Sequence, residues 1–163
     1  MKKLIYTLLI IIALTSNSFS AGTSSDNDSS SKVSDFTKAK NLVKAAKKYE
    51  KKGKIEKAQK RYAKAQKLLL KSNKKKPLQA DTLNYLGFTT RKLGDYEKGE
   101  EFYLQGLQIE PNHNGINEYL GELYMVTNRM DLAKERLEVL KSCDCKEYKQ
   151  LKEIIDGTKK SKY

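Results

Sequence analysis

The chain has 163 residues, enough for one domain of ordinary size with a tail or two and too few for several domains. It carries 33 Lys and Arg against 20 Asp and Glu, a formal net charge of +13. From Ser34 onward it is rich in Ala, Leu, Lys, Glu and Gln and has only two prolines, Pro77 and Pro111. This composition is typical of helices that are interrupted twice.

The first twenty residues have the pattern of a signal peptide. They open with the positive sequence MKK and continue with an apolar run of 11 residues from Leu4 to Leu14. The run is shorter than the roughly 20 residues that a bilayer core requires, and Ser18 and Ser20 fit a cleavage site. We predict that residues 1–20 are removed on export, which leaves a periplasmic or secreted protein. An uncleaved anchor helix is the alternative.

Residues 21–33 are rich in Ser, Asp and Gly and contain one sizeable apolar side chain, Val33, so they are predicted to be a flexible linker.

The positive charge is concentrated in the part of the chain that comes directly after this linker. Residues 32–76 hold 18 Lys and Arg and 3 Asp and Glu, whereas residues 77–163 hold 13 and 15. The basic part therefore lies at one end of the folded domain.

Three interpretations of this basic end stay open. The lysines could reflect compositional bias, or they could bind an anionic partner, such as an acidic protein, a membrane surface or a cell-envelope polymer. Nucleic acid is the third, but the predicted export argues against it, and the aromatic residues are not interleaved with the lysines as in stacking platforms. We therefore predict no nucleic-acid partner.

An internal repeat organises the chain after the linker. Leu86-Gly87 recurs 34 residues later as Leu120-Gly121, with further small and large residues at the same offset. An earlier copy appears at an offset of 41, and its seven extra residues are assigned to a Lys-rich connection from Asn73 to Gln79. Three units result, which span about residues 39–72, 80–113 and 114–147.

Each unit is predicted to be a helical hairpin. In the second unit the apolar spacing gives one helix over 81–92 and another over 96–109. Gly94 suits the left-handed conformation between them, and Asp95 can cap the second helix. Glycine inside a helix costs roughly 1 kcal/mol relative to alanine. Close approach of helices is therefore expected at three glycines, namely Gly87, Gly99 and Gly106.

These residues resemble the tetratricopeptide (TPR) repeat. The matching positions in the second and third units are Leu86-Gly87, Tyr103, Pro111, Leu120-Gly121, Tyr124 and Ala133, and in the first unit Leu42, Ala45, Ala46, Tyr49, Ala58, Tyr62 and Ala65. The aromatic residue that often opens the repeat is replaced by Leu42, Leu83 and Asn117, and a usual Tyr by Thr90. The resemblance implies an all-α, TPR-type solenoid over residues 34–156.

The C-terminal region is predicted to close this solenoid. Residues 147–155 place apolar side chains on one face and form a capping helix, which solenoids require, and residues 157–163 form a polar tail. The preceding Cys143 and Cys145, with the Tyr148 and Leu151-Lys152 that follow, are similar to the ending of small exported bacterial TPR proteins. The two cysteines could form a local disulfide, remain free thiols, or serve redox chemistry or metal binding.

No motif for catalysis, phosphate binding or a metal site is found in the sequence, so we predict a binding scaffold that is not an enzyme and has no cofactor. The single histidine, His113, is assigned to a surface loop.

The resemblance implies that the first helix of each hairpin lines a concave groove for a protein or peptide partner. The groove positions are Val43, Lys44, Lys47 and Lys51, then Asn84, Tyr85, Phe88, Arg91 and Lys92, then Glu118, Tyr119, Glu122 and Met125. Such a groove is cationic at one end and aromatic in the middle. It suits an extended peptide or short helix with acidic and apolar side chains. Phe88 could instead pack on neighbouring repeats. The oligomeric state is not predicted.

Overall fold

A computed structural model describes residues 33–161. Within this range the chain forms seven α-helices and no strand. The helices are α1 (Asp35–Glu50), α2 (Ile55–Lys75), α3 (Ala80–Lys92), α4 (Tyr96–Ile109), α5 (Asn114–Val126), α6 (Met130–Leu140) and α7 (Lys146–Ile155). The predicted all-α, TPR-type solenoid is confirmed. The signal peptide, all of the linker except Val33, and the last two residues lie outside the described residues, so those assignments stay predictions.

The hairpins pack in chain order. The helices α1 and α2, α3 and α4, and α5 and α6 pair within the hairpins, α2 also packs on α3, and α7 covers α5 and α6. The first helices of consecutive hairpins touch as well, because α3 contacts both α1 and α5. None of the described helices is both long and apolar enough to cross a membrane.

The turn inside each hairpin requires a left-handed residue. Gly53 has a φ of 67°, Gly94 one of 97° and Asn128 one of 59°, and these residues occupy the same position of the repeat. The predicted cap is also present, because the Asp95 side chain accepts a hydrogen bond of 2.9 Å from the backbone N–H of Lys98. Glycine and asparagine reach this backbone region at low cost, so the three sharp turns follow from the sequence.

Close helix approach explains the helical glycines. A Cβ atom at Gly87 would lie 2.5 Å from the ring of Tyr103, and one at Gly106 would lie 2.4 Å from Ile116. At Gly99 it would lie 3.2 Å from the backbone oxygen of Gly87. Gly121 has the same role against α7, since its Cβ would lie 2.5 Å from Leu151.

The seven extra residues of the first unit lengthen a helix rather than form a connection. The helix α2 has 21 residues, whereas α4 has 14. Only the segment from Lys76 to Gln79 joins α2 to α3, and within it Leu78 has a positive φ of 57°. Lysine is a good helix former, so the helix continues to Lys75 until Pro77 disfavours it.

The described cysteines precede the last helix. The structure joins Cys143 and Cys145 in a disulfide with a Cα–Cα distance of 5.1 Å, directly before α7. His113 lies in the loop before α5, as assigned, but its side chain is more buried than a surface residue. Its Nδ1 atom accepts a hydrogen bond of 3.2 Å from the backbone N–H of Ile116 and so caps α5, and its side chain is only 14% exposed.

Candidate partner-binding face

Four aromatic side chains lie where α1, α3 and α5 run next to one another, a side that we call the inner face. They are Phe36 on α1, Tyr85 and Phe88 on α3, and Tyr119 on α5. The rings of Phe36 and Tyr85 meet edge to face at 5.7 Å, and those of Phe88 and Tyr119 lie 5.1 Å apart. Because one pair bridges the first and second hairpins and the other bridges the second and third, ring contacts connect all three repeats on this side.

Two lysines of α1 lie over these rings. The Lys40 Nζ atom is 5.3 Å from the ring centroid of Phe36 and 5.8 Å from that of Tyr85. The Lys47 Nζ atom is 4.2 Å from the ring centroid of Phe88 and donates a hydrogen bond of 3.0 Å to the Tyr119 hydroxyl. Cations at these distances are attracted by the aromatic rings. The inner face therefore combines positive charge with aromatic surface.

A cleft of about 460 Å³ opens at one margin of the inner face. Its lining is mainly cationic, with Phe88 and Ile55 as the apolar part. The lining residues are Lys47, Glu50, Lys51, Ile55, Phe88 and Lys92. Glu50 accepts hydrogen bonds from both sides, because the Tyr62 hydroxyl lies 2.7 Å from one carboxylate oxygen and the Lys92 ammonium 2.7 Å from the other. Charged groups around an apolar base of Phe88 and Ile55 suit a site for one or two side chains of a partner.

The predicted groove residues differ in exposure. Lys44 and Lys51 are exposed, and Lys47, Tyr85, Lys92, Tyr119 and Met125 are half-buried. The others are buried, namely Val43, Asn84, Phe88, Arg91, Glu118 and Glu122. Phe88 packs on the ring of Tyr62 at 5.8 Å as well as on Tyr119. The half-buried and exposed side chains thus offer the contact surface, and the buried ones hold it in place.

Arg91 and Glu122 form an ion pair beneath this surface. Both side chains are 0% exposed, and the Arg91 Nη2 atom lies 3.6 Å from Oε2 of Glu122. Arg91 also donates a hydrogen bond of 2.6 Å from Nη1 to the backbone oxygen of Tyr119. Buried charges require such partners, because an isolated charge in the interior is costly. The pair joins the second hairpin to the third.

The tyrosines of the inner face are neutral hydrogen-bonding groups. Burial raises the pKa of Tyr119 well above its usual range, and the nearby Glu118 raises it further. Burial, and then Asp81, also raises the pKa of Tyr85. A protonated phenol can donate a hydrogen bond to a carboxylate or a backbone oxygen. Both phenols therefore keep this ability at neutral and moderately alkaline pH.

Phe36 and Lys40 were not among the predicted site residues. The first repeat unit was placed at residue 39, so Phe36 fell before it, and Lys40 was not assigned a groove position. The available signal was the spacing of four residues from Phe36 to Lys40, which places two side chains on one helix face.

Within residues 33–161 no group of three or more His, Cys, Asp and Glu side chains is arranged to hold a metal ion.

A family model for the tetratricopeptide repeat matches residues 80–113. This range covers α3, α4 and the turn between them, the hairpin that carries Tyr85, Phe88 and Arg91. No curated protein matches the chain.

Proposed function

Because the chain contains a tetratricopeptide repeat, and such repeats generally mediate protein–protein interaction, we propose that it is a non-enzymatic binding scaffold. Its inner face binds an extended peptide or a short helix with acidic and apolar side chains. The observation that carries this proposal is the two aromatic ring pairs that bridge the three hairpins, with the ammonium groups of Lys40 and Lys47 above them. The predicted export signal would locate this activity in the cell envelope or outside the cell.

The two chemical features expected of the ligand, apolar and acidic side chains, follow from the side chains of the inner face. Half-buried Tyr85 and Tyr119 offer rigid apolar area together with hydroxyl groups, the combination that is enriched among energetically important interface residues. Exposed Lys44 on α1 and Lys51 directly after this helix add positive charge. An acidic side chain near α1 and an aliphatic or aromatic one over the rings would satisfy both features.

A library of displayed random peptides, selected on the full chain, tests this proposal. We expect the selected peptides to combine Asp or Glu with large apolar residues. Replacement of two aromatic anchors, Tyr85→Ala with Tyr119→Ala, should weaken peptide binding by about 30-fold or more, since loss of an interface hot spot costs at least about 2 kcal/mol. Fluorescence anisotropy with labelled peptides measures the affinities.

The matched control is Tyr96→Ala with Leu104→Ala, which removes two exposed apolar side chains from α4. It should leave peptide binding unchanged. Lys44→Glu, at an exposed position, tests the electrostatic half with little risk to folding and should weaken acidic peptides selectively. If the Tyr85 and Tyr119 variant binds the selected peptides as tightly as the natural chain does, the inner face is not the binding site.

The basic first hairpin supports a second candidate function, electrostatic binding of an anionic surface or an acidic partner. The observation that favours it is the exposure of the lysines along α2.

A further inference from the structure

The helix α2 carries a row of cations that takes no part in the inner face. Eight exposed basic side chains follow one another along it, and Glu56 is the single acidic residue of the helix. We call this surface the α2 basic face; its residues are Lys57, Lys60, Arg61, Lys64, Lys67, Lys71, Lys74 and Lys75.

The helical geometry places these eight side chains on one side. At 3.6 residues per turn they fall within a sector of about 140°, and from Lys57 to Lys75 they extend over about 27 Å. The buried side of α2 lies opposite and consists of Ala58, Tyr62, Ala65 and Leu69. The seven additional residues of α2 lengthen this row of cations, because without them the helix and the row would end two turns earlier.

Little of this charge is neutralised. Lys71 and Lys75 share the carboxylate of Asp35, at 3.6 Å and 2.9 Å. Within residues 33–161 the other six side chains have no carboxylate within ion-pair distance. A high density of like charge destabilises the compact state slightly, so an anionic partner would relieve it.

The kind of cation indicates the kind of partner. Seven of the eight residues are lysines, whose ammonium groups act as point charges, whereas the planar arginine suits paired recognition of single carboxylates and phosphates. Protein interfaces are depleted in lysine and enriched in aromatic residues, whereas the α2 basic face consists of cations, and the Tyr49 ring that lies 5.7 Å from Arg61 is half-buried on α1. Surfaces for single-stranded nucleic acid need stacking rings, but Tyr62 of α2 is buried. These properties favour a diffuse anionic surface.

A cleft at the edge of this face adds apolar contact. Its volume is about 350 Å³, and it opens between α1 and α2 with Arg61 and Lys64 in its lining. The remaining lining residues are Lys38, Asn41, Leu42 and Leu68. Cations next to two leucines can hold a phosphate group together with the aliphatic part attached to it.

We propose that the α2 basic face docks the protein onto an anionic lipid bilayer, an inference that rests on the second candidate function, electrostatic binding of an anionic surface. The lysines contact lipid phosphates over the length of α2, and the cleft beside Arg61 takes one head group. This contact leaves the inner face free for a protein partner, so the two activities are separable.

Co-sedimentation of the full chain with lipid vesicles tests this proposal. Binding to vesicles that contain phosphatidylglycerol is compared with binding to phosphatidylcholine alone, so that any contribution of the apolar run Leu4–Leu14 is subtracted. Four substitutions remove half of the row: Lys57→Gln, Lys60→Gln, Lys64→Gln and Lys67→Gln. We expect the anionic-lipid partition coefficient to fall on the order of 100-fold or more and the difference to vanish at high salt.

The control variant loses the same charge elsewhere. It carries Lys134→Gln, Lys146→Gln, Lys149→Gln and Lys160→Gln, all at exposed positions, and should bind the anionic vesicles like the natural chain. Equal loss in both variants would overturn the proposal, because net charge alone would then explain the binding. Tighter binding of poly-glutamate or duplex DNA than of anionic vesicles would overturn it too. The Tyr85→Ala, Tyr119→Ala variant should keep vesicle binding, so failure of one proposal does not imply failure of the other.

Discussion

Tyr103 is a fully buried side chain whose ring occupies the place that a Cβ atom of Gly87 would take. The second repeat thus depends on a glycine on α3 that faces a large side chain on α4. The first repeat has Ala46 and Tyr62 at the same two positions, both buried, so the small and large residues recur together.

Gly87→Ala is expected to destabilise the protein despite the higher helix propensity of alanine. Overpacking of a core costs about 1–3 kcal/mol, and the gain in propensity is roughly 1 kcal/mol, so we expect a net loss of up to about 2 kcal/mol. Urea denaturation followed by circular dichroism measures it. Tyr103→Leu in the same chain should relieve the clash, so the double variant should lose less than the sum of the single changes. Strict additivity would show that the two residues are not coupled.

Single residues also show which parts of the candidate site can be predicted from a sequence. Tyr85 and Tyr119 occupy the same position of the 34-residue repeat, and this periodicity placed them on one face. Arg91 and Glu122 were assigned to the groove by the same rule, yet their side chains are buried. They are 31 residues apart and occupy different repeat positions, so no fixed offset indicated that they pair. Their contact depends on how α3 and α5 are staggered, which the sequence pattern does not specify.

At the scale of helices, the helix pairs within hairpins were predictable, whereas of the contacts between hairpins only the close approach at Gly106 was expected. The range predicted for α4 agrees with the structure because a glycine turn, a capping Asp95 and Pro111 bound it. The extension of α2 was missed because the lysines before Pro77 were assigned to a connection, although lysine is also a good helix former. Charged contacts such as Arg129 with Glu100, at 2.6 Å, appear only once the helices are stacked.

The ion pair of Arg91 with Glu122 should be important for the joint between the second and third hairpins. Removing one partner of a buried pair leaves the other charge in the interior, so Arg91→Ala is expected to cost about 3–5 kcal/mol. Replacing both residues, with Arg91→Met and Glu122→Met, should recover most of this loss. Apolar side chains of similar volume fill the same space and leave no unpaired charge. Thermal and urea unfolding of the three chains compare them. A loss below about 1 kcal/mol for Arg91→Ala would contradict a buried pair.

At the scale of the whole molecule, tyrosines link the stability of all three hairpins to pH. The chain has ten tyrosines, and burial is the main cause that raises the pKa of five of them, namely Tyr62, Tyr85, Tyr103, Tyr119 and Tyr124. In the unfolded chain these phenols have a pKa of about 10. Above that pH the unfolded chain loses their protons while the folded chain keeps them. The free energy of unfolding must therefore fall as the pH rises, whereas the full contribution of these phenols is present below pH of about 10.

We expect this linkage to appear as a late group of phenols in an alkaline titration. Absorbance at 295 nm should show Tyr62, Tyr85, Tyr103, Tyr119 and Tyr124 losing their protons only together with the helical circular dichroism. Tyr103→Phe should reduce the late group from five phenols to four. In concentrated urea all phenols should ionise in one step near pH of about 10, since none is then buried. A single step in the folded protein, with the helices retained, would mean that water reaches these side chains and that the hairpins are packed less tightly than the structure describes.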